Sequence, residues 1–306
     1  MIFDEIVCVD WSAAASPSTG KDSIWIAVAD ASGTSDPQNF PTRSAADAWL
    51  RERAASQSDR RLLIGIDISF AAPAGLAASL GRRAQDSAPW RFVWEQISDR
   101  LVDEDTNHNN RFEVGSDLNA LVGGQTGPFW GHPPSQTHQH LAPTRPSYPF
   151  EAPSGPRLAE YRVDEQRARS AGRAPQSTWK LAYQASVGSQ FLTGAARLLR
   201  FESDHDDRVE FWPLGTGFRA DPLPGSVWIA EVWPSAWPLR GSHPIRDANQ
   251  VTTASTALWA ANIDGELATW LNGPCDLSED EMAQVLDEEG WMLGPAANQE
   301  SPSEDR

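Results

Sequence analysis

The pattern of apolar and polar positions along the chain predicts a sheet covered by helices. Short apolar runs rich in β-branched residues predict strands at 5–10, 23–30, 62–70, 209–214 and 227–234, and we expect a further short strand near 37–41. Apolar residues at helical spacing predict helices at 42–56, 73–80, 89–103, 109–121, 157–170, 186–200, 246–271 and 278–288. The strand LLIGIDISF at 62–70 is almost continuously apolar, which is typical of a strand buried on both faces of a sheet.

The order of these elements predicts an α/β fold. The first two strands are joined by a loop, 11–22, that contains Pro17 and Gly20, so we expect an antiparallel hairpin rather than a purely parallel sheet. A mixed sheet with helices on both faces fits this order. We expect a single domain at 1–294, whose parts are a core at about 1–80 and 205–271, an ordered Pro/Gly-rich insertion at about 105–200 and a disordered acidic tail at 295–306.

Composition narrows the class of protein. The formal net charge of −17 argues against a protein that coats nucleic acid, because phosphate binding requires a basic surface. No apolar run is long enough to span a membrane, and no basic segment precedes the first apolar run, so we expect neither membrane association nor a signal peptide. The only cysteines are Cys8, inside a predicted strand, and Cys275, which favours a reducing cytoplasm over a disulfide framework. The oligomeric state stays open.

Four acids lie where the predicted topology could bring them together. Asp10 and Asp67 end strands, Glu231 lies in VWIAEVWP, and Asp247 opens the long helix that follows. Ligands of open α/β sheets bind beyond the carboxyl ends of the strands, and clustered carboxylates repel each other unless a cation or a proton compensates. We therefore expect Asp10, Asp67 and Asp247 to hold one or two Mg²⁺ or Mn²⁺ ions, and Glu231 to complete the coordination or to position water.

Each of these acids also has a simpler structural explanation. Asp10 and Asp67 could cap strand ends by accepting backbone N–H bonds. Glu231 could be a hydrogen-bonded acid near the edge of the sheet. Asp247 could be an acid at a helix N-terminus, where the macrodipole favours negative charge.

A second candidate site lies in WKLAYQASVGSQ, 179–190. A turn there precedes a helix, and the exposed N–H groups of a helix start favour an anion. The candidate anion-binding residues are Arg111, Lys180, Ser186, Gly188, Ser189 and Gln190. The alternatives are an ordinary helix cap with a glycine for close packing, and a structural salt bridge of Arg111. Three histidines, His132, His138 and His140, have a spacing that matches no closed zinc site.

The placement of the acids resembles that of the ribonuclease H-like superfamily over about 1–80 and 226–271. That resemblance implies that Asp10, Asp67 and Asp247 correspond to acids that bind catalytic metals. The chain resembles more closely an uncharacterised bacterial family of this superfamily, some members of which are labelled as proteins of cobalamin or molybdopterin–guanine dinucleotide biosynthesis. The shared strings are VDWSA, IGIDISF, NNRF, GPFWG, WKLAYQASVGSQFLTG, IAEVWPSAWP and RDANQV.

Two departures from the wider superfamily bear on the reaction. The first helix offers only Asp47 and Glu52 as a further metal-binding acid, and neither is clearly at the required position. The loop DWSAAASPSTGKDS holds one glycine, so it lacks the Gly-rich phosphate loop of the kinase-like members.

Together these features predict a metal-dependent phosphoryl-transfer enzyme. The expected reaction is hydrolysis of a nucleotide or nucleic-acid phosphodiester, with a phosphate-containing small molecule or a structured nucleic acid as the substrate. The alternatives are a non-catalytic nucleotide- or anion-binding protein of the same fold and, less favoured, an ATP-dependent kinase-like enzyme.

Overall fold

The computed structural model describes residues 1–56, 59–153 and 155–295 of the chain. The strands are β1 (Glu5–Asp10), β2 (Ile24–Asp30), β3 (Gly33–Thr34), β4 (Gln38–Phe40), β5 (Leu62–Asp67), β6 (Phe150–Glu151), β7 (Arg157–Leu158), β8 (Val209–Trp212), β9 (Val227–Val232) and β10 (Met292–Leu293). The α-helices are α1 (Arg43–Ala55), α2 (Leu76–Ser79), α3 (Pro89–Ser98), α4 (Arg111–Gly123), α5 (Val163–Ser170), α6 (Val187–Ser203), α7 (Arg246–Asp264), α8 (Glu266–Leu271) and α9 (Glu279–Gln284). A π-helical turn at Val285–Glu289 follows α9.

The main sheet is mixed, as the sequence predicts. Its strand order is β10–β9–β5–β1–β2–β3, with β4 also paired to β2 and β8 also paired to β9. The hairpin of β1 and β2 is antiparallel, whereas β1, β5 and β9 run parallel to one another. Parallel neighbours bring the carboxyl ends of β1 and β5 to the same edge of the sheet, so their terminal acids meet there.

Two apolar layers cover the sheet. Val7 and Ile64 pack in the core that includes residues of α1, α3 and α6, and this side of the sheet is the α6 face. Ile6, Cys8 and Leu63 pack in the core that includes residues of α7 and α8, and this side is the α7 face. Alternation along each strand thus decides which layer a side chain enters.

The central strand is shorter than the apolar run predicts. β5 ends at Asp67, and the chain leaves the sheet through Ile68–Phe70. The freed backbone of Phe70 bonds to side chains instead, because its N–H donates to Glu231 Oε2 at 2.9 Å and its carbonyl accepts from Trp94 Nε1 at 2.6 Å. An apolar sequence therefore continues past the last strand residue while its polar backbone groups stay satisfied.

Several helix boundaries also differ from the predicted ones. The helix predicted at 157–170 begins only at Val163, since β7 pairs with β6 in a separate hairpin. The helix predicted at 246–271 is two helices, because Gly265 adopts a left-handed conformation with φ of 84°. The helix predicted at 89–103 ends at Ser98, and the one predicted at 73–80 shrinks to α2.

The capping box at Ser278 is confirmed. The Ser278 hydroxyl accepts from the Glu281 N–H at 3.2 Å, and the Glu281 carboxylate accepts from the Ser278 N–H at 2.9 Å. The short strands β3, β6, β7 and β10 carry no sequence signal that predicted them.

The Pro/Gly-rich segment at about 105–200 is ordered around aromatic anchors. Phe129 and Trp179 are fully buried and pack edge to face, with ring centroids 5.0 Å apart. That this segment is an insertion stays a prediction. The predicted tail at 295–306, apart from Pro295, lies outside the described residues. None of the helices that the structure describes combines the length and the apolar composition needed to cross a lipid bilayer.

A buried amide ties the start of the chain to α7, and removing it should destabilise the fold. Asn262 Oδ1 accepts from the N–H groups of Ile2 and Phe3 at 2.7 and 3.1 Å, and its Nδ2 donates to the Phe3 carbonyl at 2.8 Å. We expect Asn262→Ala to lower the free energy of unfolding by about 2–3 kcal/mol, because buried polar groups lose their partners. Chemical denaturation measures this loss. The exposed Asn272→Ala is the control, and an equal loss in both variants would contradict the assignment.

Candidate functional site

Asp10 and Asp67 lie side by side at the ends of β1 and β5. The two residues are register partners in the parallel ladder, and neighbouring strands are about 4.8 Å apart. Both side chains are partly exposed. Neither carboxylate accepts a hydrogen bond from any residue that the structure describes. Strand-end capping, the simpler explanation for these acids, therefore has no bond to support it.

Asp247 completes a group of three acids on the α7 face. Asp10 follows the alternation of Ile6 and Cys8, so its side chain points toward the layer of α7. Asp247 lies in the first turn of α7, and its Oδ2 accepts the N–H of Asp22 at 2.8 Å. The structure thus brings together three of the four predicted acids. It adds Asp22, at the far end of the loop that follows Asp10.

The electrostatic environment of these acids is uncompensated. Burial raises the pKa of Asp10 well above its usual range, and the charges of Asp67, Asp247 and Asp22 raise it further. Burial raises the pKa of Asp67 to about 7, with contributions from Glu231 and Asp247. Every charge that shifts these two pKa values is negative, so the acids require a proton or a cation to relieve their repulsion.

The donor set fits a hard divalent cation held by two carboxylates. Among the described residues, no group of three His, Cys, Asp or Glu side chains is arranged to hold a metal ion. Mg²⁺ is usually bound through only one or two carboxylates, with waters and substrate phosphates completing its octahedron, and Mn²⁺ accepts the same ligands. Asp10 and Asp67 meet that requirement. Asp247 stands beside them with one oxygen committed to Asp22.

Glu231 lies in a buried ion pair rather than among the other acids. Its Oε2 and Oε1 accept from Arg162 Nη1 and Nη2 at 2.7 and 2.5 Å, and Oε2 also accepts from the Phe70 N–H. Alternation with Ile229 places its side chain on the α6 face, opposite Asp67. Both oxygens are occupied, so the geometry favours the structural explanation over a metal ligand or a water-positioning group.

The predicted anion-binding residues gather around the start of α6. Arg111 Nε donates to Ser189 Oγ at 2.9 Å, and Gln190 Nε2 donates to the Trp11 carbonyl at 2.8 Å. They therefore lie at the same end of the sheet as Asp10, but in the layer of the α6 face. The charges that shift the pKa of Arg111 are Arg43, Asp103 and Glu113, none of which belongs to the acid group. This second candidate site therefore lies in a different layer from the acids.

Three further members of this predicted set are engaged within the turn itself. Lys180 Nζ donates to the Gln184 carbonyl at 2.6 Å, and partial burial lowers its pKa. The Gly188 N–H donates to the Lys180 carbonyl, and the Ser186 carbonyl accepts from the Ser189 N–H. A Cβ at Gly188 would lie 2.3 Å from the Thr178 carbonyl oxygen. Gly188 thus has the close-packing role that was its alternative explanation.

The three histidines do not converge on one point. The rings of His132 and His138 lie 5.3 Å apart, while His140 Nδ1 bonds to the Gly124 carbonyl at 2.8 Å.

Sequence reasoning missed Arg43, which fixes the loop after Asp10. This arginine is fully buried, and its Nη1 donates to the Ser12 and Ala14 carbonyls at 3.0 and 2.8 Å. Its Nη2 pairs with Asp103 at 2.5 Å. No local signal could have revealed this role, because Arg43 reads as an ordinary first residue of a helix and its partners are distant in sequence.

The ion pair of Arg162 with Glu231 should be essential to stability. Arg162→Met would leave a buried carboxylate unpaired, and such a change costs about 3–5 kcal/mol. Chemical denaturation at neutral pH measures the loss. The double variant Arg162→Met/Glu231→Gln should recover part of it, and the exposed Arg83→Met should behave as wild type. A loss below about 1 kcal/mol, the range of surface pairs, would show that the pair is not buried in solution.

Comparisons with known proteins add no assignment to this geometry. No protein-family model, no curated protein and no solved structure matches the chain. The resemblance to the ribonuclease H-like superfamily accordingly stays a prediction.

Proposed function

We propose that this protein is a metal-dependent phosphoryl-transfer enzyme, a hydrolase of a nucleotide or nucleic-acid phosphodiester. The observation that carries the proposal is the in-register pair of Asp10 and Asp67, partly exposed and free of compensating donors among the described residues. A divalent cation is the ligand that such a pair binds best, because it neutralises both charges at once.

The chain's own groups have distinct roles in this proposal. Asp10 and Asp67 hold the Mg²⁺ or Mn²⁺ from the ends of two rigid strands. Asp247 is oriented by the Asp22 N–H through Oδ2, which leaves Oδ1 free to align the attacking water. The bound cation would supply Lewis-acid stabilisation of the phosphoryl oxygens and lower the pKa of water.

Topology and charge support the substrate class. A hairpin, a parallel strand that ends in an acid and a late helix that carries another acid are the features that resemble the ribonuclease H-like superfamily. The net charge of −17 disfavours a long, extended nucleic acid and favours a phosphate-containing small molecule or a structured nucleic acid.

One observation favours a non-catalytic binding protein of the same fold as the second candidate. Glu231, expected to complete the coordination, is engaged by Arg162, so the site offers fewer acids than the sequence suggested. Cation binding alone therefore does not distinguish this candidate from a hydrolase, whereas turnover does.

Without metal, Asp67→Asn should stabilise the protein at alkaline pH. The folded state keeps the proton of Asp67 up to about pH 7, whereas the unfolded chain releases it near pH 4, so rising pH across this window weakens the fold. In EDTA at pH 8 we expect a gain of about 1–2 kcal/mol, since one pKa unit is worth about 1.4 kcal/mol and solvent screens part of the shift. The gain should shrink toward zero near pH 4.5. Thermal melts across pH measure it, and a gain that does not depend on pH would refute the assignment.

Divalent cations should stabilise the wild type through Asp10. A ligand at about 100 times its Kd adds about 2.7 kcal/mol, which corresponds to a few degrees in Tm for a chain of this size. We expect Mn²⁺ and Mg²⁺ to raise the Tm of the wild type and of Asp117→Asn, an exposed control on α4, but not that of Asp10→Asn. An equal rise in all three proteins would remove Asp10 from the site.

Hydrolysis is then measured with Mn²⁺ and a chromogenic phosphodiester, bis(p-nitrophenyl) phosphate. We expect turnover by the wild type and a loss of at least about 10–100-fold in kcat for Asp10→Asn, the scale on which even groups that only support a metal ligand affect activity. Cation binding without turnover of this ester or of nucleotides would favour the binding protein.

A further inference from the structure

Arg111 is held in a fixed orientation by neutral groups. Its Nε donates to Ser189 Oγ at 2.9 Å, and its Nη1 donates to Asn109 Oδ1 at 2.8 Å. Its guanidinium carbon lies 4.5 Å from the centre of the Phe112 ring. Among the described residues, no acceptor binds Nη2 and no carboxylate pairs with this side chain. The Nη2 edge of the guanidinium is therefore held in a fixed position. A planar guanidinium held in this way can donate parallel hydrogen bonds to an anion.

Two acids, Asp103 and Glu113, and the cation Arg43 act electrostatically on Arg111, and among the described residues neither acid forms a salt bridge with it. Asp103, an acid close enough to act on it, is already paired with Arg43 and with Arg197, at 2.5 and 2.7 Å. Burial and the charge of Arg43 together lower the pKa of Arg111 to about 10. Burial and the charge of Arg43 thus both destabilise the charged form of Arg111, and a bound anion would offset both effects.

Arg111 lies close to the starts of two helices. Arg111 is the first residue of α4, a helix of 13 residues, and Ser189 lies in the first turn of α6, a helix of 17 residues. The first turn of a helix carries the positive end of its dipole. The first-turn N–H groups of Arg111, Gly188 and Ser189 already donate to Asn109 Oδ1 and to the Lys180 and Ser186 carbonyls. The side-chain bond between Arg111 and Ser189 brings the two helix starts together, which adds to the charge of the guanidinium.

This cluster is separate from the acid site. Gln190 ties the start of α6 to the Trp11 carbonyl, in the layer of the α6 face, while Asp10 points to the α7 face. We propose that Arg111, at the junction of α4 and α6, binds a tetrahedral oxyanion of the phosphate class at a site that needs no metal. Phosphate fits better than a carboxylate, because it can bring two negative charges to the guanidinium edge and to the positive ends of two helix dipoles. The inference does not depend on the proposed hydrolysis.

The test is a titration with inorganic phosphate, in EDTA and at constant ionic strength set by chloride. Calorimetry of the wild type should show saturable binding in the millimolar range or tighter, which corresponds to at least about 4 kcal/mol. Arg111→Met should weaken it at least tenfold. The exposed Arg83→Met should stay within twofold of the wild type.

Three outcomes would overturn the proposal. These are absence of saturation in the wild type, equal binding by Arg111→Met, and equal weakening by Arg83→Met. Acetate that competes as strongly as phosphate would overturn the tetrahedral preference. If Arg111→Met fails to fold, Arg111→Gln replaces it, because the amide can still donate to Ser189 while the charge is gone, and the same tenfold loss is expected.

Discussion

The parallel pairing of β1 with β5 is the constraint on which the candidate site depends. Its register sets Asp10 opposite Asp67, and alternation along both strands sends the two carboxylates to the same face. A shift by one residue would send one of them into the opposite core. The apolar residues that precede each acid fix this register, since Ile6, Cys8 and Leu63 must enter one core while Val7 and Ile64 enter the other.

Buried charges hold the chain where it leaves these two strands. After β1, the carbonyls of Ser12 and Ala14 are bound by Arg43. After β5, backbone N–H groups of Phe70, Ala74 and Gly75 are bound by carboxylates, namely those of Glu231, Glu289 and Glu288 at 2.9, 2.7 and 2.7 Å. Loops that carry no regular hydrogen bonding are thereby kept rigid next to the acids. Preorganisation of this kind is what a site with developing charge requires.

The two faces of the sheet carry opposite local charge at the same edge. Asp10, Asp67 and Asp247 concentrate negative charge on the α7 face, whereas Arg111 and the starts of α4 and α6 concentrate positive charge on the α6 face. Gln190, bonded to the Trp11 carbonyl, holds the start of α6 at this edge on the α6 face.

The sequence by itself determined the mixed sheet, most strands and the helix layers, because apolar periodicity and β-branched content act locally. It also predicted Asp10, Asp67 and Asp247 as neighbours, since strand ends in an α/β sheet meet at one edge.

The tertiary structure decided which charged side chains pair and on which face of the sheet they lie. No pattern in the sequence connects Arg162 with β9, yet its guanidinium pairs with both carboxylate oxygens of Glu231. This pairing favours a structural role for Glu231 over the predicted role in coordination. Arg43 and Asp103 are 60 residues apart in the sequence, and the periodicity of apolar residues does not predict an ion pair between them. The sequence could not show on which face of the sheet Arg111 and Lys180 lie, and the packing of α6 placed them on the face opposite the acids. Long-range ion pairs and the side of the sheet that a helix covers depend on how the whole chain packs, and no short stretch of sequence encodes them.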